Sequence, residues 1–233
     1  MDKTAIRNAA TLILVRDAAT APRILMGQRG AQAAFMPNRV VFPGGAVDVA
    51  DHAVPFASAL PEPCVSRLSQ ESASDLAPGL FAAAIRELWE ETGLLLGAPG
   101  NWTGNVPEDW QGFATRGLLP NPDPLSFVFR AITPPGRPRR FDARFFLADA
   151  EALVGDPDDF SHASDELSHL QWIPLAEVRN FNLPFITEVV LAEVSAALPA
   201  LDAPASVPFF KNTEEESLFH RLGGVSPLAR TAL

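Results

Sequence analysis

The chain has 233 residues, of which 47% are hydrophobic and 20% charged, and its formal net charge is −10 at pH 7. This length and composition are typical of a globular protein that buries a core without disulfides, and the single cysteine, Cys64, cannot form an intrachain disulfide. The acidic balance argues against binding of a nucleic-acid backbone, which requires a basic surface. It leaves open a small anionic ligand held by a metal or by a local group of arginines.

The sequence gives no indication of a membrane segment. The longest apolar candidate, residues 183–201, is interrupted by Glu188 and Glu193. The apolar run near the N-terminus is short and is followed directly by Arg16, unlike a secretory signal. We therefore expect a cytoplasmic protein without a membrane partner.

The first third of the chain predicts short strands and then an irregular segment. Residues 9–17 and 22–30 are rich in β-forming residues and are separated by a small-residue turn, which predicts two adjacent strands. A short strand over 39–45 ends in a Pro-Gly-Gly turn. Residues 48–78 are rich in Ala, Ser and Pro and predict an irregular insertion with one or two helical turns.

The clearest helix covers residues 79–92, where apolar residues recur at helical spacing and Gly93 is placed to end the helix. Strands and helices mix without strict alternation, which predicts one α/β or α+β domain over 1–233, with an insertion at about 52–78. The remaining segments predict a loop over 97–124, strands over 125–135, 139–149 and 169–175, helices over 175–181 and 184–198, and a Pro-rich tail from Pro199 with a solvated turn or helix start at 212–217.

Three glutamates crowd the predicted helix: Glu87, Glu90 and Glu91. Their spacing places them on one face, where like charges repel by roughly a few tenths of a kcal/mol per exposed pair. One interpretation is an exposed acidic face whose negative charge Arg86 partly neutralises. The other is a divalent-cation site, because Mg²⁺ and Mn²⁺ prefer carboxylate oxygens and retain waters for a phosphate substrate. The spacing alone leaves both interpretations open.

The wider pattern favours the cation site. The stretch RELWEETGL, residues 86–94, resembles the second half of the Nudix box, Arg-Glu-U-x-Glu-Glu-x-Gly-U with U aliphatic, at every fixed position. The first half departs from that pattern, because Asp51 stands at the position of the signature glutamate and Gly45 lies 41 positions before Arg86. An insertion therefore splits the box, and the two halves can still meet because the cost of loop closure grows slowly with length.

The interrupted box resembles one branch of the Nudix hydrolases, which includes the peroxisomal acyl-CoA diphosphatases and their bacterial relatives. The stretches FMPNRVVFPGGAVDVAD (35–51) and RRFDARFFLA (139–148) carry this likeness, which runs from residue 9 to 185. It implies a Nudix fold, a mixed β-sheet sandwiched between helices (α/β/α). It also implies hydrolysis of the pyrophosphate bond in a small-molecule nucleotide, CoA or acyl-CoA. Many members of the superfamily are homodimers, and the sequence leaves the oligomeric state open.

Two alternatives to hydrolysis of CoA or acyl-CoA stay open. The same metal site serves hydrolases of NADH, ADP-ribose or damaged nucleoside triphosphates, which differ in the pocket. A Nudix-fold module that binds a nucleotide without cleaving it is the other alternative. The intact Glu87, Glu90 and Glu91 argue against a pure binder, whereas Asp51 and the insertion keep that alternative open.

The resemblance implies roles for the box residues. Glu87, Glu90 and Glu91 bind Mg²⁺ or Mn²⁺, and the carbonyl of Gly45 or its neighbour completes the set of ligands. Arg86 pairs with a box carboxylate and orients it.

The candidates for the general base and for the phosphate ligands lie partly inside and partly outside the box. Glu87 and Glu166 are both candidates for the base that takes the proton of the attacking water, with Asp165 as a further candidate. Arg139 and Arg140 are candidate ligands of substrate phosphates, because arginine forks suit phosphate oxygens. Exposed charges at a strand start are the alternative for these arginines, and for Arg137 and Arg144 beside them.

Overall fold

The computed structural model describes residues 5–33, 35–73 and 75–223. The strands are β1 (Ile6–Arg16), β2 (Arg23–Arg29), β3 (Val40–Val41), β4 (Gly44–Ala46), β5 (Gly97–Pro99), β6 (Leu118–Pro120), β7 (Ser126–Ile132), β8 (Arg140–Asp149), β9 (Leu167–Pro174), β10 (Val207–Asn212) and β11 (Ser217–Leu222). The helices are α1 (Glu62–Leu68), α2 (Leu76–Thr92), α3 (Gln111–Ala114) and α4 (Phe185–Ala197).

Nine of these strands form one mixed sheet in the order β11-β10-β7-β8-β1-β2-β3, with β4 paired to β1 and β9 paired to β2. β1 lies parallel to β8, and β7 lies antiparallel to β8, so the neighbouring pair predicted over 125–135 and 139–149 is confirmed. β1 is antiparallel to β2, as the adjacent strands near the N-terminus predict. β5 and β6 form a separate antiparallel pair.

Hydrophobic cores cover both faces of the sheet, because successive strand residues point to opposite sides. Leu12 and Leu14 of β1 pack into the core beneath α2. Ile13 and Val15 of the same strand pack into the core beneath α4, with Val190 of that helix. The predicted sheet between helices is therefore confirmed.

The insertion between the two halves of the box contains regular structure. A 3₁₀ helix, Val49–Ala53, begins it, and α1 follows. Cys64 and Leu68 of α1 are buried in the core that also contains α2. The helix predicted over 79–92 begins earlier, at Leu76, and ends at Thr92 with Gly93 in the left-handed conformation at φ +76°.

Three predictions are corrected by the fold. Residues 97–124 hold β5, α3 and β6 rather than a loop, because the buried Trp110 and Phe113 anchor this segment to the core. The helix predicted over 175–181 is a single 3₁₀ turn, Val178–Asn180. The Pro-rich tail carries β10 and β11, an antiparallel pair that extends the sheet beside β7, and residues 213–216 form the turn between them.

Candidate active site

Helix α2 carries the glutamates into a cavity of about 970 Å³ that extends over one face of the sheet. Glu87, Glu90 and Glu91 all line this cavity, as do the Gly44–Gly45 turn and Glu166. The structure thus brings together residues that are up to 122 positions apart in the chain. Arginine and aromatic side chains line the rest of the cavity: Arg7, Arg29, Arg39, Arg86, Arg137, Arg139, Phe35, Phe42, Phe141, Phe145, Phe185 and Phe210.

The buried guanidinium of Arg86 organises the carboxylates around it. Its Nε and Nη2 donate to the two carboxylate oxygens of Asp51 at 2.9 and 3.0 Å. Its Nη1 donates to Glu87 Oε1 and to Glu90 Oε2, each at 3.0 Å. The orienting role expected for Arg86 therefore has a geometric basis, since one side chain fixes three carboxylates.

Asp51, which replaces the signature glutamate, is buried and faces Arg86. Its second oxygen also accepts a hydrogen bond from the backbone N–H of Asp48 at 2.8 Å, within the 3₁₀ turn that opens the insertion. A shorter carboxylate at this position therefore fastens the start of the insertion to α2. Asp51 does not line the cavity.

The glycine turn is fitted closely to two of the glutamates. The backbone N–H of Gly44 donates to Glu91 Oε2 at 2.8 Å. The carboxylate of Glu87 lies directly against Gly45, where it fills the space that a Cβ atom would occupy. Any side chain at position 45 would displace Glu87, so the turn and the helix face are built for each other.

Burial raises the pKa of these carboxyl groups well above the ordinary glutamate value. The pKa of Glu91 rises to about 8, mainly through burial and then through the charge of Glu87. Burial raises the pKa of Glu87 to about 7, against the opposing effect of Arg86 and with a further contribution from Glu90. Burial also raises the pKa of Glu90. Burial therefore disfavours the ionised form of these carboxyl groups, and a cation bound beside them would favour it.

These residues fit a hard divalent cation by type and place. Within residues 5–33, 35–73 and 75–223, no three His, Cys, Asp or Glu side chains are already arranged as a metal site. Glu87 and Glu90 instead face Arg86, and Glu91 faces Gly44. Carboxylate and carbonyl oxygens are nevertheless the ligands that Mg²⁺ and Mn²⁺ prefer, and the three glutamates with the Gly44–Gly45 turn supply them at one place.

Glu166 approaches the site from the loop before β9. Its side chain is exposed and lines the cavity, and its charge contributes to the raised pKa of both Glu87 and Glu91. The loop is held to the end of α2, because the backbone N–H of Ser164 donates to the carbonyl of Glu90 at 2.9 Å. Asp165 is exposed and does not line the cavity.

Of the two arginines predicted to bind phosphate, one lines the cavity and the other does not. Arg139 is exposed and lines the cavity. Arg140 is buried and its guanidinium faces Glu214 at 2.9 Å and the carbonyls of Thr133 and Asn212. Arg140, the first residue of β8, does not line the cavity, because these three groups hold its guanidinium, and the expectation that it contacts the substrate is corrected. Arg144 does not line the cavity either.

Arg29 is a cavity residue that the sequence did not single out. Its Nη1 lies 3.9 Å from Glu91 Oε1, and its buried Nε has no hydrogen-bond partner among the residues that the structure describes. The contact spans 62 positions of the chain, and no local motif connects the two residues. It is the last residue of β2, a strand that pairs with β1 and β3 rather than with the glycine turn, so its place in the sequence gives no signal of this contact.

Comparison with known proteins identifies the family. No family model matches the chain. A nudix hydrolase of Caenorhabditis elegans (nudix hydrolase 7) is 32% identical over 178 residues, which are 72% of this chain and 51% of that protein. The acyl-coenzyme A diphosphatase NUDT19 of Gallus gallus is 28% identical over 204 residues, 64% of this chain and 53% of that protein. The chain thus spans about half the length of the curated relatives it matches.

A solved structure gives the same answer at the level of the fold. The crystal structure of a NUDIX hydrolase from Alicyclobacillus acidocaldarius matches with a TM-score of 0.61 and 27% identity, covering 86% of this chain and 99% of that one. The chain belongs to the Nudix hydrolase superfamily. The relative named acyl-coenzyme A diphosphatase matches the same chain at lower identity. None of the helices in the described ranges has both the length and the apolar character that crossing a bilayer requires.

Proposed function

We propose that the chain is a pyrophosphohydrolase that depends on Mg²⁺ or Mn²⁺ and cleaves the P–O–P linkage of a nucleoside diphosphate derivative. One observation carries the proposal. Three glutamates of α2 gather around Arg86 and the Gly44–Gly45 turn at a cavity of about 970 Å³. The volume is at the upper end of the range for small-molecule sites.

Each residue of the cluster has a role in this proposal. Glu87, Glu90, Glu91 and the carbonyl of Gly45 hold the cation. A bound divalent cation neutralises charge on the diphosphate oxygens and lowers the pKa of a water bound to it. Arg86 keeps Glu87 and Glu90 in place through its two hydrogen bonds at 3.0 Å.

Two carboxylates are candidates for accepting the proton of the attacking water. Glu87 lines the cavity beside Gly45, and it serves as the base only when it does not also ligate the cation, because a bound cation engages its carboxylate. Glu166 is exposed to the cavity and stands on a loop fastened to α2, so it reaches the solvent side of the site. Glu166→Gln distinguishes them: a loss of kcat with an altered pH profile assigns the base to Glu166, and retained kcat assigns it to Glu87.

CoA or an acyl-CoA is the substrate class that we infer. The split box and the relative named acyl-coenzyme A diphosphatase support it. Arg137 and Arg139 line the cavity and are exposed, so their guanidinium groups are available to phosphate oxygens of such a ligand.

The test is hydrolysis of a substrate panel by the wild type and by Glu90→Gln and Glu91→Gln. The panel contains CoA, octanoyl-CoA, NADH, ADP-ribose and 8-oxo-dGTP, each with Mg²⁺ or Mn²⁺. Because even residues that only orient metal ligands cost 10–100-fold when removed, we expect kcat to fall by about 100-fold or more in both variants. Glu188→Gln on the exposed face of α4 is the matched control.

The outcomes separate the parts of the proposal. Release of 3′,5′-ADP from CoA, lost in both glutamine variants and retained in Glu188→Gln, supports the metal site and the substrate class together. Turnover of another panel member alone discards the CoA class and keeps the mechanism. Absence of metal-dependent turnover of every member contradicts the proposal and favours a module that binds nucleotides without cleaving them.

A further inference from the structure

The loop that carries Glu166 is docked against the helix that carries the glutamate cluster. It comprises residues 155–166, which lead into β9, and we call it the Glu166 loop. Besides its hydrogen bond to the carbonyl of Glu90, the loop approaches the end of α2 closely at His162. A Cβ atom at Gly93 would come within 2.9 Å of the His162 backbone, so only a glycine there leaves room for the loop.

Trp89 is the side chain of α2 on which this loop rests. Its ring centroid lies 5.8 Å from that of His162, with an angle of 37° between the ring planes. Arg116, just after α3, bridges the two rings: its guanidinium lies over the Trp89 ring at 5.4 Å, and its Nη2 lies 3.4 Å from His162 Nε2. Trp89 does not line the cavity, so it contacts the loop from outside the site.

Helix α3 fixes the place of the Trp89 ring from another side. Gly112 lies so close to this ring that a Cβ atom there would overlap it. Phe113, which is buried, meets the same ring edge-on with the centroids 6.3 Å apart. Because side chains that are packed on several sides keep one rotamer, Trp89 offers the loop a rigid surface.

The first half of the Glu166 loop has separate anchors. Trp172 Nε1 donates to the carbonyl of Pro157 at 3.1 Å. Arg16 Nη1 donates to both carboxylate oxygens of Asp158 at 2.9 and 3.0 Å, and its guanidinium lies over the Trp172 ring at 4.8 Å. These contacts hold the start of the loop to β1 and β9. The dock on α2 is left to place the half that leads to Glu166.

The carboxylate of Glu166 depends on this backbone for its position. The residue is exposed and lines the cavity. Its hydrogen bond is made by the backbone N–H, to Ser164 Oγ at 3.4 Å, and no group within the described part of the chain pairs with its carboxylate. A displacement of the loop would therefore move Glu166 away from the glutamates of α2.

We infer that Trp89 and His162 are positioning residues, which dock the Glu166 loop so that Glu166 faces the carboxylates of α2. This inference rests on the proposed function, in which Glu166 is a candidate for accepting the proton of the attacking water. One helix then carries the cation ligands on one side and the dock for the proton acceptor on another. The distance between them is set by a single rigid element.

The first test compares Trp89 with a tryptophan at another place. Trp89→Leu removes the ring beneath His162 and is expected to lower kcat about tenfold with KM within about twofold, because a misplaced catalytic group costs rate rather than affinity. Trp89→Phe keeps a ring there and is expected to restore most of kcat. Trp102→Leu is the matched control, since Trp102 packs on Trp110 and does not line the cavity. Equal losses of kcat per folded molecule in Trp89→Leu and Trp102→Leu overturn the inference.

A double variant shows whether Trp89 acts through Glu166. In Glu166→Gln the group that the loop presents is already lost, so adding Trp89→Leu is expected to change kcat less than about twofold further. Losses that multiply show that Trp89 acts through its neighbour Glu90 or through the fold, which overturns the inference. Retained kcat in Glu166→Gln alone also overturns it, whereas the hydrolysis observed still supports the proposed function.

Hydrogen exchange keeps this inference distinct from the proposed function. The Ser164 amide, which donates to the carbonyl of Glu90, reports the docking of the loop without substrate or metal. Its exchange is expected to be about tenfold faster in Trp89→Leu and unchanged in Trp102→Leu, because a weakened dock opens more often. If the wild type cleaves no member of the panel, the proposed function fails, and exchange decides the inference alone. Faster exchange in Trp89→Leu then supports the dock, and unchanged exchange contradicts it.

Discussion

Two buried ion networks occupy different parts of this molecule, and they differ in which charge is in excess. In the first, one guanidinium, Arg86, faces Asp51, Glu87 and Glu90 within 3.0 Å. In the second, one carboxylate, Asp142, is shared by Arg130 at 2.7 Å and Arg144 at 3.0 Å. We refer to them as the acid-rich and the arginine-rich network.

The chain itself supplies most partners of the arginine-rich network, and Arg144 Nε is its buried atom without a hydrogen-bond partner among the described residues. Arg130 donates to the carbonyls of Gln70 and Glu71 at 3.0 Å, and Arg144 donates to the Ser72 hydroxyl at 2.8 Å. The hydrogen bonds from its two arginines therefore hold the end of the insertion, residues 70–72, against the sheet. Burial lowers the pKa of Arg144 to about 10, against the opposing effect of Asp142.

The acid-rich network is instead open to the cavity, and the pKa values of Glu87 and Glu91 are raised. A buried cluster of charges is therefore not by itself a functional site. The difference lies in whether the surplus charge is met by backbone and side-chain groups or left for a ligand. This contrast predicts that changes in the two networks separate stability from activity.

The largest effect is expected for Arg86→Ala in the acid-rich network. This change leaves Asp51 buried without its partner, and breaking a buried ion pair in this way costs about 3–5 kcal/mol. Glu87 and Glu90 also lose the group that holds them, so hydrolysis falls with stability. Thermal unfolding and kcat of the same preparation measure both. A variant that unfolds at the wild-type temperature contradicts the structural role of the pair.

The arginine-rich network predicts a loss of stability alone. Asp142→Ala leaves Arg130 and Arg144 buried side by side, at a cost of about 3–5 kcal/mol. Activity per folded molecule is expected to stay within about twofold of the wild type, because these groups do not line the cavity. Unfolding in urea and active-site titration at low temperature distinguish the two quantities. If kcat of the folded protein falls more than this, the arginine-rich network also serves activity, and the contrast between the two networks fails.

Sequence patterns located the acid-rich network and missed the arginine-rich one, for a physical reason. Glu87, Glu90 and Glu91 lie on one helix, where spacing fixes the face that they share. The face of Arg140 or Arg144 depends on strand alternation and on which side of the sheet each core covers, which spacing alone does not supply. The sheet, α2 and the glycine turn were predictable from local signals. The packing of the predicted insertion against the core, the β10–β11 pair and the approach of Arg29 to Glu91 depend on contacts between distant segments.

The pH dependence of stability is expected to distinguish the acid-rich network further. The folded-state pKa values of Glu87 and Glu91 are about 7 and about 8, above the ordinary value of 4.5. In this pH range the folded state therefore holds protons that the unfolded state has released. The stabilisation is complete below pH 4.5 and is lost as pH rises through 7 and 8.

Thermal unfolding in EDTA measures this effect. Tm of the wild type is expected to fall by several degrees between about pH 6 and about pH 8.5, since about 1 kcal/mol shifts Tm by about 2–4 °C in a chain of this size. The double variant Glu87→Gln/Glu91→Gln lacks both titrating groups and is the control. Added Mn²⁺ binds the ionised form, so it raises Tm more at the higher pH. If the Tm of the wild type and of the double variant change equally with pH, Glu87 and Glu91 are not the groups that cause the change.

The smallest and sharpest test uses two adjacent arginines, one that lines the cavity and one that does not. Arg139 lines the cavity, so Arg139→Ala is expected to raise KM for CoA up to about tenfold, the loss of one charged hydrogen bond, with Tm unchanged. Arg140 donates to Glu214 and to two backbone carbonyls, so Arg140→Ala is expected to lower stability by about 1 kcal/mol with KM within about twofold. Each variant is the control for the other. If Arg140→Ala raises KM as much as Arg139→Ala does, then lining the cavity is not what decides whether an arginine acts on substrate binding or on stability. That outcome would contradict the contrast drawn between the two networks.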